Sequence, residues 1–367
     1  MAYPQHTIGM SKWDIDTPAL VLDIGLVERN LATMAAAARD LGKQLRPHLK
    51  THKTPLLARR QLEGGAVGVS AAKLGEVEAM ILGGVEDILL TTETVGQRKI
   101  ARLLALSRHA NLINVVDDAE AAAALSAAFE REGRALDVLV DVNVGQDRTG
   151  VDPGEPALAL AKRVRELPGL RFRGLQGYEG HLQHIYVEQE RAEACRAAMR
   201  KLSDTVRLIR EAGLEVEIVS TGGTGTHRFT GETNEVTELQ PGSYVVMDSD
   251  YGNVAGLDFA NALTILSTVV SHVHPERAVI DAGYKAASTD AGMPAVKDAP
   301  GASYTPGGDE HGKLALEATG RKLKVGDKVE LIPSHCDTTV NLYDYYHVVR
   351  DDRLEAIWPI AARGATQ

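Results

Sequence analysis

Between about residues 44 and 247 the chain alternates two textures. Short runs of aliphatic and β-branched residues give way to longer stretches with apolar residues at helical spacing. The β-rich runs are 45–49, 66–70, 88–91, 112–116, 138–142, 175–178, 216–220 and 244–247. Helical patterns fill most gaps, among them 74–82, 96–107, 119–131, 155–166 and 190–212. Strands that alternate with helices imply a parallel sheet with crossover helices. Eight such units match a (β/α)8 barrel of the TIM type better than an open doubly wound sheet. The eighth unit is the least regular, because 224–238 lacks a helical period. Beyond residue 256 the texture becomes β-rich, with runs at 263–270, 277–281, 328–332, 346–349 and 354–360 split by Gly, Pro and Asp turns. The expected architecture is α/β: a barrel over 24–255, and a mostly β domain formed by 1–23 plus 256–367.

With 367 residues, 44% hydrophobic and 25% charged, the chain has material for about two cores. A net charge of −10 argues against nucleic-acid binding, which needs a basic face. No apolar run reaches the ~18–20 residues of a membrane span. The start, Met1-Ala2-Tyr3-Pro4-Gln5-His6, has no basic region followed by an apolar stretch, so no signal peptide is expected. Two cysteines, Cys195 and Cys336, make no disulfide framework. A cytoplasmic enzyme is the expectation.

In barrels of this kind chemistry gathers at the C-terminal ends of the strands. The first strand runs into Arg46-Pro47-His48-Leu49-Lys50-Thr51-His52-Lys53. If it stays extended, His48, Lys50 and His52 share a face. A buried lysine has a lowered pKa, which suits Schiff-base chemistry. After the seventh run, Ser220-Thr221-Gly222-Gly223-Thr224-Gly225-Thr226 offers backbone N–H groups and hydroxyls to a phosphate, and Tyr251 is placed to add a donor. It is neither a Walker loop nor a dinucleotide fingerprint. Two further strand ends are polar: one runs into Arg148, the other carries Tyr178, Glu179, His181 and His184. Arg148 can balance a phenolate, and His184 can act as a base near neutral pH. In the β domain, Pro333-Ser334-His335-Cys336-Asp337 places His335 and Asp337 on one side of an extended chain, a two-ligand metal site. If the chain turns there, Cys336 is a softer alternative ligand. His272 and His274 have the same spacing but read as a surface turn before Pro275.

Together these motifs resemble the D-threonine aldolase / D-serine dehydratase-like family of fold-type III pyridoxal 5′-phosphate enzymes, relatives of alanine racemase, on the side of the bacterial aldolases. The Arg-Pro-His-x-Lys-Thr-His-Lys and Pro-Ser-His-x-Asp-x-Thr runs carry most of the likeness, which extends from Asp16 to Ile360. The resemblance implies that Lys50 carries the cofactor as a Schiff base, with His48 beside it. Arg148 faces the phenolic oxygen and Tyr178 the ring. Thr221, Gly223, Thr224, Gly225 and Tyr251 attend the phosphate. His184 takes the proton of the substrate's β-hydroxyl, and His335 with Asp337 binds a divalent metal. The Asp favours Mn²⁺ or Mg²⁺, with Zn²⁺ the softer alternative. Glu179 departs from the His that follows this Tyr in the family's aldolases. The implied reaction is retro-aldol cleavage of D-threonine, D-allo-threonine or another D-β-hydroxy-α-amino acid to glycine and an aldehyde, in a homodimer. Alternatives within the family are dehydration of D-serine or D-threo-3-hydroxyaspartate, and 3-hydroxy-D-aspartate cleavage. A cofactor-carrying protein without turnover and a metal-only barrel hydrolase are readings from other classes.

Overall fold

A computed structural model describes residues 6–299, 301–316 and 322–367. The start of the chain that was read for a signal, up to Gln5, lies outside them. Among the described residues, two sheets organise the chain. The first has eight parallel strands: Gln44–Leu45, Val69–Ala71, Asp87–Leu90, Asn111–Val116, Leu136–Asp141, Leu170–Gln176, Ile218–Thr221 and Glu238–Leu239. A parallel bridge between His48 and Ser70 joins its first two strands and closes the barrel. The helices between strands start where the sequence supplies caps. Asp118 Oδ1 accepts from Ala121 N at the helix Ala119–Arg131, and Thr54 precedes Pro55 at Pro55–Glu63. The outer faces of the strands and the helix undersides belong to one large apolar core, while Leu89, Ile113, Val115 and Leu139 form a separate small cluster on the opposite strand face.

Two expectations are corrected. The eighth strand is Glu238–Leu239 rather than 244–247, which holds the 3-10 turn Ser243–Val245. The apolar run Tyr244–Met247 is fully buried, so its composition reports core rather than strand. The first strand ends early, and the chain turns through Leu49–His52 instead of staying extended. His52 therefore does not share a strand face with Lys50. It packs inward, with Nε2 3.3 Å from Gln61 Oε1.

The second sheet has nine strands and is largely antiparallel. Ala19–Asp23 lies in it, antiparallel to Leu263–His274 and parallel to Tyr345–Arg350. His272 and His274 close that long strand rather than forming a turn. Lys328–Ile332 and Arg353–Pro359 fall where β-rich runs stand in the sequence. Three short strands do not: Ala295–Val296, Ser303–Pro306 and Gly312–Ala315. Among the described residues, no helix is long and apolar enough to cross a membrane.

Candidate active site

At the C-terminal mouth of the barrel lies a cavity of about 430 Å³, within the range of small-molecule sites. His48, Lys50, Arg148, Tyr178, Gly223, Thr224 and Tyr251 all line it. Seven of the expected residues thus meet in one place from five separate stretches of chain.

Lys50 stands on the turn after the first strand, its side chain 42% exposed toward this mouth. Its Nζ lies 3.7 Å from Asp337 Oδ2. The depressed pKa expected of a buried amine is not found. The Asp337 carboxylate outweighs burial and raises the Lys50 pKa above its ordinary value. The neighbouring Lys53 is committed elsewhere, paired with Glu76 at 2.7 Å. His48 accepts the Lys50 backbone N–H on Nδ1 at 3.2 Å, so its Nε2 carries the proton and donates to Thr91 Oγ1 at 3.1 Å. Burial, then the Lys50 charge, pushes its pKa well below the ordinary value and keeps it neutral. The Arg148 guanidinium lies 5.9 Å from the centroid of the Tyr178 ring. Burial raises the Tyr178 pKa, so its phenol stays protonated.

The glycine loop divides its labour. Gly223 and Thr224 face the cavity together with Gly242 and Ser243. Thr221 and Gly225 do not line it. Thr221 Oγ1 contacts the Gly177 carbonyl and Glu179 Oε2, and Gly225 N donates to Gln183 Oε1 at 2.9 Å. The loop tolerates no side chain where it turns. Gly222 has φ +83°, and a Cβ on Gly223 would fall 2.4 Å from Gln183 Oε1. This cup of small residues and hydroxyls fits a phosphate, and Arg148 and Tyr178 fit the ring it would carry.

The other wall comes from loops. His184 donates from Nδ1 to Asp250 Oδ2 at 2.8 Å and packs against Tyr251, ring centroids 4.3 Å apart. Tyr186 Oη donates to the other Asp250 oxygen at 2.6 Å. Burial lowers the His184 pKa despite Asp250, leaving Nε2 as a neutral base. His335 caps the short helix Cys336–Val340 and donates from Nδ1 to Asp290 Oδ2 at 2.7 Å. Burial opposes the His335 imidazolium, but Asp337 and Asp290 outweigh it and raise its pKa.

The chain does turn after His335, yet Cys336 is fully buried. Its Sγ donates to the Met247 carbonyl at 2.9 Å, and burial raises the thiol well above its ordinary pKa. That geometry removes the softer-ligand alternative. Asp248 staples this helix to the barrel by accepting from Cys336 N at 3.1 Å and Tyr251 N at 2.9 Å. Among the described residues, no three His, Cys, Asp or Glu side chains form a preassembled metal cage. His335 and Asp337 nevertheless suit a two-ligand site with open positions. Asp290 orients the imidazole so that Nε2 is free, and Asp337 Oδ1 is buried without a hydrogen-bond partner.

Sequence reasoning missed Asp290 and the pairing role of Asp250, whose partners are distant in the chain. It also missed Glu93, which lines the cavity and is pushed up to about 7 by burial and the nearby Asp141 carboxylate. Glu93 follows the third barrel strand with no motif around it.

The alanine racemase N-terminal domain family model matches residues 22–250, and a serine dehydratase domain model matches residues 262–349. The chain is 43% identical to a D-threonine aldolase from Arthrobacter sp over 353 residues, 95% of this chain and 93% of the relative. The chain belongs to the D-threonine aldolase family of fold-type III pyridoxal-phosphate lyases. It is also 39% identical to a 3-hydroxy-D-aspartate aldolase from Paracoccus denitrificans, covering 97% of this chain and 94% of that one. The crystal structure of D-threonine aldolase from Filomicrobium marinum superposes with a TM-score of 0.97 at 40% identity, covering 100% of both chains. That structure shares the barrel and second sheet described above, as the sequence led us to expect.

Proposed function

We propose that this protein is a D-threonine aldolase, cleaving D-threonine, D-allo-threonine and related D-β-hydroxy-α-amino acids to glycine and an aldehyde. One observation carries the reading: a lysine at the barrel mouth, Lys50, faces both an imidazole–carboxylate dyad, His184–Asp250, and a potential metal pair, His335–Asp337. Lys50 is the lysine that carries the cofactor. His48, Arg148, Tyr178 and Tyr251 enclose it. Gly223 and Thr224 receive the phosphate, with Thr221 and Gly225 shaping their loop. Bound pyridoxal 5′-phosphate supplies an electron sink for the pair released when the Cα–Cβ bond breaks. His335 and Asp337 would hold a divalent metal that acidifies the β-hydroxyl, and their N and O donors suit Mn²⁺ or Mg²⁺, with Zn²⁺ the alternative. His184 then accepts the β-hydroxyl proton at Nε2, because its Nδ1 proton is committed to Asp250. The unit 24–255 is the cofactor-binding barrel. The remainder, 1–23 plus 256–367, delivers the metal ligands. A cytoplasmic homodimer is part of the same proposal. It is supported by the family likeness and by the half-exposed His184 and His335 at the open mouth.

One observation favours a second substrate, 3-hydroxy-D-aspartate. Lys73 and Lys99 also line the cavity, and among the described residues neither is paired with a carboxylate. Either cation suits a distal carboxylate. Product analysis tests both readings. Purified holoenzyme is given D-threonine, L-threonine and 3-hydroxy-D-aspartate, with EDTA and then with Mn²⁺ restored. The expected outcome is glycine plus acetaldehyde from D-threonine only, lost with EDTA and regained with Mn²⁺. Ammonia and a 2-oxo acid would make the enzyme a dehydratase instead. Glyoxylate formed faster than acetaldehyde would favour the second substrate.

A further inference from the structure

Glu179 has no role in the chemistry above, yet it is 0% exposed and sits behind the glycine loop. It does not line the cavity. Its Oε1 receives Thr226 Oγ1 at 2.5 Å and Thr230 Oγ1 at 2.8 Å, and its Oε2 receives Gly222 N at 3.2 Å. We propose that Glu179 is a positioning residue for the cofactor's phosphate, clamping the glycine loop from behind so that Gly223 and Thr224 present to the cavity. This rests on the pyridoxal 5′-phosphate reading above.

The proton arithmetic makes the clamp specific. Thr226 Oγ1 already accepts from Gly223 N at 3.1 Å and from Gln183 Nε2 at 2.9 Å. Both of its lone pairs are used, so its own proton must go to Glu179 Oε1. Gly222 N is a fixed donor, so Oε2 must accept as well. Both oxygens of residue 179 are therefore required to be acceptors, which a carboxylate satisfies. The amide of glutamine does not: in either flip its NH₂ confronts the Thr226 hydroxyl proton or the Gly222 N–H. Gln183 completes the clamp, with Oε1 on Gly225 N. Glu179 and Gln183 flank the 3-10 turn Gly180–Leu182 after the sixth barrel strand. That turn therefore sets the shape of the loop after the seventh. Among the described residues the Thr224 backbone N–H has no internal acceptor, so the clamp leaves it for a ligand.

The test compares two probes, pyridoxal 5′-phosphate and pyridoxal, which share the aldehyde and ring but differ in the phosphate. Apoprotein is titrated with each, followed by visible absorbance, and the adduct is located by mass spectrometry after borohydride reduction. Wild type should prefer the phosphorylated probe strongly and carry the adduct on Lys50. Glu179→Gln and Glu179→Ala should each weaken pyridoxal 5′-phosphate binding by about tenfold or more while leaving pyridoxal binding unchanged. Equal weakening of both probes, or of neither, overturns the proposal. If the Glu179 variants do not fold, Thr226→Val and Thr226→Ser replace them, with loss expected in Val and rescue in Ser. The same loss in both, or in neither, overturns it too. A wild-type protein that takes up no pyridoxal 5′-phosphate at Lys50 fails differently: it removes the cofactor reading itself.

Discussion

The histidines on the two sides of this site differ in kind. On the barrel side, His48 and His52 are buried and bonded only to uncharged groups, Thr91 and Gln61 together with backbone N–H donors. Burial keeps both neutral, and it holds His52 at about 4. On the loop side, His184 and His335 are roughly half-exposed, and each places Nδ1 on a carboxylate, Asp250 and Asp290. The half proposed to enclose the cofactor thus keeps its histidines buried and neutral at the strand ends. The half proposed to face the substrate is built from loops, and its charges are balanced in pairs, His184 with Asp250 and His335 with Asp290. Substitutions on the two sides should fail in different ways.

The largest loss is expected on the barrel side. Lys50→Ala should lower kcat/KM by more than about 10³-fold and abolish the visible band of the bound cofactor. Both are read from absorbance and acetaldehyde release. Persistence of the band, with an adduct on Lys53, would shift the role to the lysine now paired with Glu76. On the loop side, alanine at His335 or Asp337 should cost about 100-fold in kcat and remove the response to added Mn²⁺. The cofactor band should be unchanged in the His335 variant, because His335 neither lines the cavity nor pairs with Lys50, as Asp337 does. A loss of the band in the His335 variant would mean that the two halves are one unit.

The neutral histidines also predict a pH dependence of stability. His52 titrates at about 4 in the folded chain and near 6.5 when unfolded. Between those values the unfolded chain binds more protons, so acid favours unfolding. The contribution, about 3 kcal/mol, is complete above pH 6.5 and is lost as pH falls toward 4. Burial also holds His347 at about 4, and it acts in the same direction. Denaturant midpoints at pH 7 and pH 5 should therefore converge in His52→Asn relative to wild type, though not completely. An unchanged difference would take His52 out of the account.

The sequence made the barrel side far more legible than the loop side. Strand periodicity located seven of the barrel strands because a short β-rich run overlaps each of them. The eighth was misplaced because Tyr244–Met247 is as apolar as a strand while serving as buried filler beneath the glycine loop. Lys50, the loop at Gly223 and the His335–Asp337 pair were visible as local motifs. Their convergence was not, because Lys50 and Asp337 meet only through tertiary packing. Asp290 lies 45 residues from His335 in a segment of turns with no motif of its own. Such partners carry no signal in spacing, since any nearby carboxylate with the right backbone would serve.

The smallest predicted effect probes the paired charges directly. Asp250 accepts the His184 Nδ1 proton and the Tyr186 hydroxyl, and it is the foremost charge raising the His184 pKa against burial. Asparagine at this position keeps one acceptor oxygen for the imidazole but removes the negative charge. The neutral imidazole stays oriented, yet the imidazolium formed after proton transfer loses its partner. His184 should therefore become a weaker base, with kcat down by about tenfold and KM little changed. The pKa of His184 already lies below 6.5 and should fall further, so the acid limb of the kcat/KM profile should move to lower pH in Asp250→Asn. An acid limb that stays in place, or moves up, would show that the proton is taken by another group. The loop-side histidines would then differ from those of the barrel in exposure alone.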